Sequence, residues 1–138
     1  MSEGVWIGSI YLKDEGGHEI VLRSLRYYLK ILANISAAPE EYGPRMIAQL
    51  LEHEANKMGP TILEVRRNLM RGLTDTALLA DIRDHIPHIK RALESYESGV
   101  RSAMRGDRHY CGLVPEKHRN EKEIRLITEA KRRITESV

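Results

Sequence analysis

Apolar residues recur every three or four positions from residue 78 to residue 104, the longest regular pattern in the chain. Because an α-helix completes a turn in about 3.6 residues, side chains at this spacing lie along one stripe of a helix. The internal Pro87 does not shift the phase of the stripe, so we predict one continuous helix over 76–105, kinked at Pro87 and ended by Gly106. The stripe consists of Leu78, Ile82, Ile86, Ile89, Leu93, Tyr96, Val100 and Met104.

Four further helices are predicted from similar patterns. Residues 18–36 carry an apolar arc wider than half the circumference, which is typical of a central helix or of one shared with another subunit. Two Gly-Pro dipeptides, Gly43-Pro44 and Gly59-Pro60, bracket a helix over 45–58, since glycine often ends a helix and proline suits the first turn of the next. The apolar residues expected to face inward from it are Met46, Ile47, Leu50, Leu51, Ala55 and Met58. The remaining helices are expected over 61–72 and 116–136.

The N-terminal segment favours extended structure. Residues 5–12 are rich in strand-favouring types and end at a glycine-containing turn, which predicts a strand. Residues 18–23 either fold back on it as a second strand or begin the first helix, in which case the strand needs a partner across an oligomer. The predicted fold is therefore all-α. It is a bundle of four to five helices in one domain, 1–138, with residues 1–16 as an extended arm and 116–138 as a basic C-terminal helix.

Composition and pattern indicate the cellular compartment and the oligomeric state of a protein with this fold. The chain has 138 residues and one cysteine, Cys111, so no internal disulfide demands an oxidising compartment. No apolar run approaches the roughly 20 residues that span a bilayer, and the first residues lack the features of a secretion signal. We therefore expect a cytoplasmic protein with no membrane partner. The long apolar stripe, the wide arc of 18–36 and the lone strand predict a homo-oligomer, with a dimer favoured.

Two charged residues project onto apolar helix faces. Glu54 lies near the centre of the apolar arc of 45–58, and Arg66 lies among the apolar residues of 61–72. If the chain reverses at Gly59-Pro60, the two face each other in an antiparallel pair. We interpret them as a structural ion pair that fixes helix register; the alternative is a buried carboxylate poised for metal or proton chemistry.

A metal site is the first alternative function. Asp81, His85 and His88 are four and three residues apart, which places them on one flank of the long helix, and imidazole and carboxylate ligands suit zinc or iron. His53 or Glu54 from a neighbouring helix would complete the site. The Glu-x-x-His pairs of two-metal bundles are missing from the helices, however. A second set, formed by His109, Cys111 and His118, is incomplete by itself, and Cys111 is more simply a small buried apolar residue.

Nucleic acid is the second alternative partner. Residues 1–100 contain 12 Lys and Arg against 14 Asp and Glu, whereas residues 101–138 contain 10 against 6. This basic C-terminal region suits phosphate contacts, but a solvated helix face has the same composition. The candidate cations are Arg125, Lys131, Arg132 and Arg133, with Arg101, Arg105 and Arg108.

No catalytic signature is present in the sequence: it has no phosphate-binding glycine loop, nucleophile elbow or zinc-protease motif. We therefore expect an oligomeric interaction or scaffold module without enzymatic activity. The metal-binding bundle and the nucleic-acid-associated protein remain the alternatives.

Overall fold

The structure is a computed structural model that describes residues 6–7, 10–11, 18–72 and 86–136, and the side chains of 19–67 and 86–132. It is an all-α bundle, as predicted. Its helices are α1 (His18–Ala37), α2 (Arg45–Gly72), α3 (Ile86–Met104), α4 (Arg108–Cys111) and α5 (Glu121–Glu136), with 3₁₀ turns at Pro39–Tyr42 and Glu116–His118. None of the helices in these ranges is long and apolar enough to cross a bilayer.

Helix α1 contacts α2, α3 and α5, in agreement with the central position that its wide apolar arc predicts. Five apolar residues that follow one another at three- and four-residue spacing along this helix are all buried. These are Val21, Leu25, Tyr28, Leu32 and Ile35. Ile20, Tyr27 and Ile31 are buried as well. The wide apolar arc predicted for this helix therefore packs against three neighbouring helices.

Helix α2 corrects the prediction for the middle of the chain. It is continuous from Arg45 to Gly72 and contains Pro60, so the break expected at Gly59-Pro60 is wrong. A proline disfavours the helical conformation of the preceding residue partly through a clash with its Cβ, and Gly59 has none. Pro60 is exposed, so the carbonyl group that loses its N–H partner lies near water. The face that packs on the bundle consists of Ala48, Ala55, Ile62 and Val65.

Helix α3 keeps the predicted stripe over its described length. Ile86, Ile89, Leu93, Tyr96 and Val100 are buried, as expected. Pro87 is exposed, and Met104 at the end of the stripe is 39% exposed. The predicted segment 76–85, and with it the continuity of the helix through Pro87, lies outside the described residues. The C-terminus has the predicted glycine stop. Gly106 has a φ of 85°, and the Gly106 and Asp107 amides donate to the Ala103 and Ser102 carbonyls.

The two ends of the chain differ in detail from the prediction. The extended segment contains two short antiparallel strands, β1 (Trp6–Ile7) and β2 (Ile10–Tyr11), which pair with each other. The prediction of one strand over 5–12 is therefore wrong. The described residues of this segment form two strands, and these pair within the chain. The last helix begins at Glu121 rather than at 116, because Asn120 caps it: the Asn120 Oδ1 accepts from the Glu123 amide at 2.9 Å.

The contact between α1 and α3 depends on a glycine. Tyr27 of α1 lies so close to Gly99 of α3 that a Cβ there would overlap the Tyr27 hydroxyl and ring. The Tyr27 ring also packs against the Tyr96 ring, with centroids 5.3 Å apart, which leaves it little room to move. The two helices can approach this closely only because residue 99 has no side chain.

We expect Gly99→Ala to lower the free energy of unfolding by about 1–2 kcal/mol. The overlap with Tyr27 costs more than the roughly 1 kcal/mol that alanine gains over glycine inside a helix. Urea denaturation measures the difference. In a Tyr27→Leu background the overlap is gone, so the same substitution should be neutral or stabilising. A loss of equal size in both backgrounds would contradict this explanation.

Candidate functional site

The outer side of α2, near its N-terminus, exposes three large apolar side chains. Met46 is 80% exposed, Leu50 70% and Ile47 50%, and we call these three residues the α2 face. At about 100° per residue they lie within one third of the circumference, turned away from Ala55 and Ile62. The inward orientation predicted for them is therefore wrong. Of the other residues predicted inward, Ala55 is buried, and Leu51 and Met58 are half-buried.

An apolar groove lies beside the α2 face, between α1, α2 and α3. It has a volume of about 350 Å³ and is lined by Ile31, Leu32 and Ile35 of α1 and by Leu51 and Ala55 of α2. Its rim is polar. The Arg91 Nη2 donates to the Glu54 Oε1 at 3.0 Å, and the Arg91 Nε donates to the Tyr28 hydroxyl at 3.2 Å. Leu51 joins the groove to the α2 face, so the two form one apolar surface.

The opposite side of the bundle contains a buried carboxylate. Glu123 of α5 is only 3% exposed. The Arg23 guanidinium of α1 donates to both of its oxygens, from Nε to Oε2 at 2.9 Å and from Nη2 to Oε1 at 2.8 Å. The Tyr96 hydroxyl of α3 donates to Oε2 at 2.5 Å. We call Arg23, Tyr96 and Glu123 the Glu123 cluster; it joins three helices through one carboxylate.

Local structure positions this carboxylate. Asn120 caps α5 and thereby places Glu123 in the first turn, where the helix dipole favours a negative charge. Burial and the Glu123 carboxylate raise the pKa of the Tyr96 phenol, so Tyr96 stays protonated and remains a donor. Burial lowers the pKa of His118, whose Nδ1 lies 3.7 Å from the Glu123 Oε2, although the carboxylate opposes the shift.

A pocket of about 160 Å³ lies next to the Glu123 cluster, and we call it the basic pocket. Its polar lining comes from α1 and from the 3₁₀ turn before α5. The five basic residues that line it are Arg23, Arg26, Lys30, Lys117 and His118. Tyr27 and Tyr96 provide aromatic walls, and Leu113 and Pro115 an apolar one. None of the described residues that line the pocket is acidic.

The predicted ion pair between Glu54 and Arg66 is wrong. It required a chain reversal at Gly59-Pro60, but both residues lie on the continuous helix α2, where twelve residues span about 18 Å. Glu54 is paired with Arg91 of α3 instead, at 3.0 Å. The pair is exposed, so it is a surface contact of small expected energy.

Two of the three predicted metal ligands lie outside the residues that the structure describes. Asp81 and His85 are outside the described residues, and His88 is half-buried on α3. His53 is exposed, and Glu54 is paired with Arg91 of α3. Across residues 19–67 and 86–132, no three His, Cys, Asp or Glu side chains are grouped to hold a metal ion. Zinc or iron binding at 81–88 stays a prediction.

The loop around Cys111 separates the residues that the sequence groups there. The His109 Nε2 is 2.7 Å from the Tyr42 hydroxyl, and the half-buried Cys111 donates from its Sγ to the Ala103 carbonyl at 3.4 Å. His118 lies at the Glu123 cluster. The three side chains thus have three different environments, in keeping with a packing role for Cys111.

The basic C-terminal region is partly neutralised by acidic residues of α3 and α5. Lys131 pairs with Glu97 at 2.6 Å and Arg132 with Glu129 at 2.5 Å, while Arg101 also pairs with Glu97. The Arg105 guanidinium donates to the Ser102 hydroxyl. Arg108 and Arg125 are exposed, and the side chain of Arg133 lies outside the described residues. A role in nucleic-acid binding stays a prediction, with less charge available than the sequence suggests.

Two features of the site were missed by sequence reasoning. Glu123 is four, seven and eleven residues before Ile127, Ala130 and Ile134, so it projects onto the inner face of α5, and Asn120 three residues earlier marks the helix start. That signal was available. Its partner Arg23 lies 100 residues away, on the polar side of the predicted helix 18–36. Only the tertiary structure therefore identifies the pair.

The comparisons with known proteins add no relative: no protein-family model matches the chain, and no curated protein or solved structure matches it.

Proposed function

We propose that this protein is a small cytoplasmic interaction module that associates with a second copy of itself through the α2 face. The observation that supports this most directly is the exposure of Met46, Ile47 and Leu50 on one side of one helix. Single exposed apolar residues are common on protein surfaces, whereas a contiguous patch beside an apolar groove is typical of an interaction site.

The distribution of apolar residues favours a second copy as the occupant. Twofold-symmetric dimers use the same patch on both subunits, so the patch must complement itself. Two antiparallel α2 helices related by an axis between residues 48 and 49 place Met46 opposite Leu51 and Ile47 opposite Leu50. Large apolar side chains then meet large apolar side chains over the whole patch, and Leu51 leads the contact into the groove.

Charge complementarity supports the same arrangement. Lys57 lies on the same side of α2 as Leu50, about 13 Å along the helix from the symmetry axis. In this antiparallel arrangement it lies towards the N-terminal end of the copy's α2, where Glu40 and Glu41 are exposed in the preceding 3₁₀ turn. The symmetry repeats the contact, so two basic and four acidic groups flank the apolar centre.

The size of the patch sets the expected strength. Three side chains cover less than the roughly 800 Å² per partner of a standard interface, so we expect a reversible dimer with a dissociation constant in the micromolar range. Sedimentation equilibrium from about 1 to 300 μM tests this. A well-folded monomer throughout that range would overturn the proposal.

We expect Leu50→Glu to weaken self-association by at least about tenfold, since it places a carboxylate at the centre of the apolar contact on both subunits. Leu63→Glu is the matched control. Leu63 is also an exposed leucine of α2, 45% exposed, but it lies about 140° around the helix from Leu50. Both variants are measured by sedimentation. Equal weakening by both would place the interface elsewhere.

A charge exchange tests the orientation of the two copies. Lys57→Glu should weaken the dimer by placing like charges opposite each other, and Glu40→Lys with Glu41→Lys in the same chain should restore it. Restoration distinguishes the antiparallel arrangement from any other use of the α2 face. Failure of the combined variant to recover would reject this arrangement.

A further inference from the structure

We infer that the basic pocket binds a small phosphate monoester. The proposal is independent of self-association, because the pocket lies between α1 and the segment 113–118, away from the α2 face. It depends on three observations: uncompensated positive charge, the size of the pocket, and the nature of its walls.

The pocket has more positive charge than the neighbouring carboxylates neutralise. Arg23 is engaged by Glu123, with Glu19 at 3.6 Å on its outer side. Arg26, Lys30 and Lys117 have no ion-pair partner within the described part of the chain. Three cations therefore converge on one small cavity. Such a site favours a dianion over a monocarboxylate, because the Coulomb attraction to the three cations increases with the negative charge of the ligand.

The arrangement of these cations follows from the helix. Arg23, Arg26 and Lys30 are three and four residues apart on α1, so they form one stripe along the pocket. Lys117 approaches from the other side, on the 3₁₀ turn Glu116–His118. The Arg119 guanidinium, just after that turn, donates to the Val114 and Cys111 carbonyls just before it, at 2.8 and 2.6 Å. Helix α5, which follows the turn, is joined to α1 by the pair of Arg23 and Glu123. The two halves of the site are thus held in place without a ligand.

The volume and the walls define the rest of the ligand. About 160 Å³ holds one phosphate and a body of a few heavy atoms, and is too small for a nucleotide. Tyr27, Tyr96, Leu113 and Pro115 offer aromatic and apolar surface to that body. A phosphate on a small, flat or apolar group fits these walls better than a strongly polar sugar phosphate.

Calorimetric titration at low ionic strength with phenyl phosphate, inorganic phosphate and benzoate tests the inference. We expect phenyl phosphate to bind about tenfold more tightly than either of the others, since only it offers both the dianion and the ring. The absence of binding at 20 mM phenyl phosphate would overturn the proposal. Benzoate binding as tightly would reject the preference for a dianion.

Variants locate the binding. Lys30→Ala and Lys117→Ala should each lower the affinity for phenyl phosphate by about tenfold. Arg125→Ala removes one exposed cation from α5, outside the residues that line the pocket, and should leave the affinity unchanged. Circular dichroism confirms that each variant is folded. Equal losses in all three variants would mean that net charge, rather than this pocket, attracts the anion.

A single-stranded RNA of 20 nucleotides distinguishes the macromolecular source of phosphate. We expect it to bind more weakly than phenyl phosphate at matched phosphate concentration, because the cavity admits only a terminal group. Tighter binding of RNA, reduced by Arg125→Ala as much as by Lys117→Ala, would replace the pocket with an extended nucleic-acid surface.

Discussion

Replacing Glu123 by glutamine is expected to lower the free energy of unfolding by about 3 kcal/mol. The substitution removes the negative charge to which the Arg23 guanidinium donates twice, and an amide cannot accept from Arg23 and Tyr96 as the carboxylate does. Removing one partner of a buried ion pair costs about 3–5 kcal/mol. Arg23 is 26% exposed and regains some hydration, so we expect the lower end of that range. Urea denaturation monitored by circular dichroism measures the change.

The same helix provides the control for this prediction. Glu129 also pairs with an arginine, Arg132, but its side chain is 46% exposed and the pair lies within one turn of α5. Glu129→Gln should therefore change the stability by less than about 0.5 kcal/mol. A Glu123→Gln variant that is no less stable than Glu129→Gln would show that the Glu123 cluster does not hold α5 in place.

A double variant separates the ion pair from the packing. In Arg23→Met with Glu123→Leu, both charges are absent and apolar side chains fill a similar volume. Buried pairs replaced in this way often lose little stability, because neither charge remains unmatched. We expect the double variant to be more stable than Glu123→Gln. If it is not, the loss comes from contacts other than the charge pair.

The two helices with the widest or longest apolar patterns were predictable because one physical signal dominates each of them. In α1, Val21, Leu25 and Tyr28 lie one turn apart and all are buried, and in α3 the same is true of Ile89, Leu93 and Tyr96. Burial of an apolar stripe is the largest favourable contribution to folding, so a long regular stripe leaves few alternatives. Gly106 was equally predictable, because few residues other than glycine adopt a positive φ at the end of a helix.

The candidate sites were less predictable, since each depends on residues distant in sequence. The pairing of Arg23 with Glu123 and the convergence of Lys30 with Lys117 are set by how α5 and the turn before it pack against α1. The α2 face was not predicted, because 45–58 was expected to be a separate helix. Once 45–58 is taken as a separate helix, its largest apolar residues define its inner side, whereas in the continuous helix Ala48 and Ala55 join Ile62 and Val65 to form that side.

The Gly59-Pro60 dipeptide shows why local sequence signals alone predicted a break in α2. Ala48, Ala55 and Ile62 are seven residues apart, and Val65 follows Ile62 by three, so the small and apolar positions keep one helical phase across Pro60. The same criterion, applied at Pro87, predicted a continuous helix there. At residue 60 the preceding glycine favours a helix end and the phase favours continuity, and glycine is also the residue that best tolerates a following proline inside a helix.

We expect Pro60→Ala to raise the free energy of unfolding by about 2 kcal/mol. Proline inside a helix costs about 3 kcal/mol relative to alanine, because it removes an N–H donor and crowds the preceding turn. About 1 kcal/mol of this is offset, since alanine leaves the unfolded chain more flexible. Pro60 is exposed, so the substitution alters no buried packing. Thermal and urea denaturation measure the gain.

Pro44→Ala, at the start of the same helix, gives the opposite expectation. The Pro44 carbonyl accepts from the Ala48 amide at 2.7 Å, so Pro44 lies at the first turn, where a proline needs no N–H partner. Its replacement should leave the stability unchanged or lower it by up to about 1 kcal/mol, because only the restriction of the unfolded chain is lost. The sign of the Pro60 effect therefore distinguishes a proline inside a helix from one that begins a helix. A loss at Pro60 equal to that at Pro44 would mean that a new helix begins there, and the α2 face would then have to be assigned again from the shorter segment.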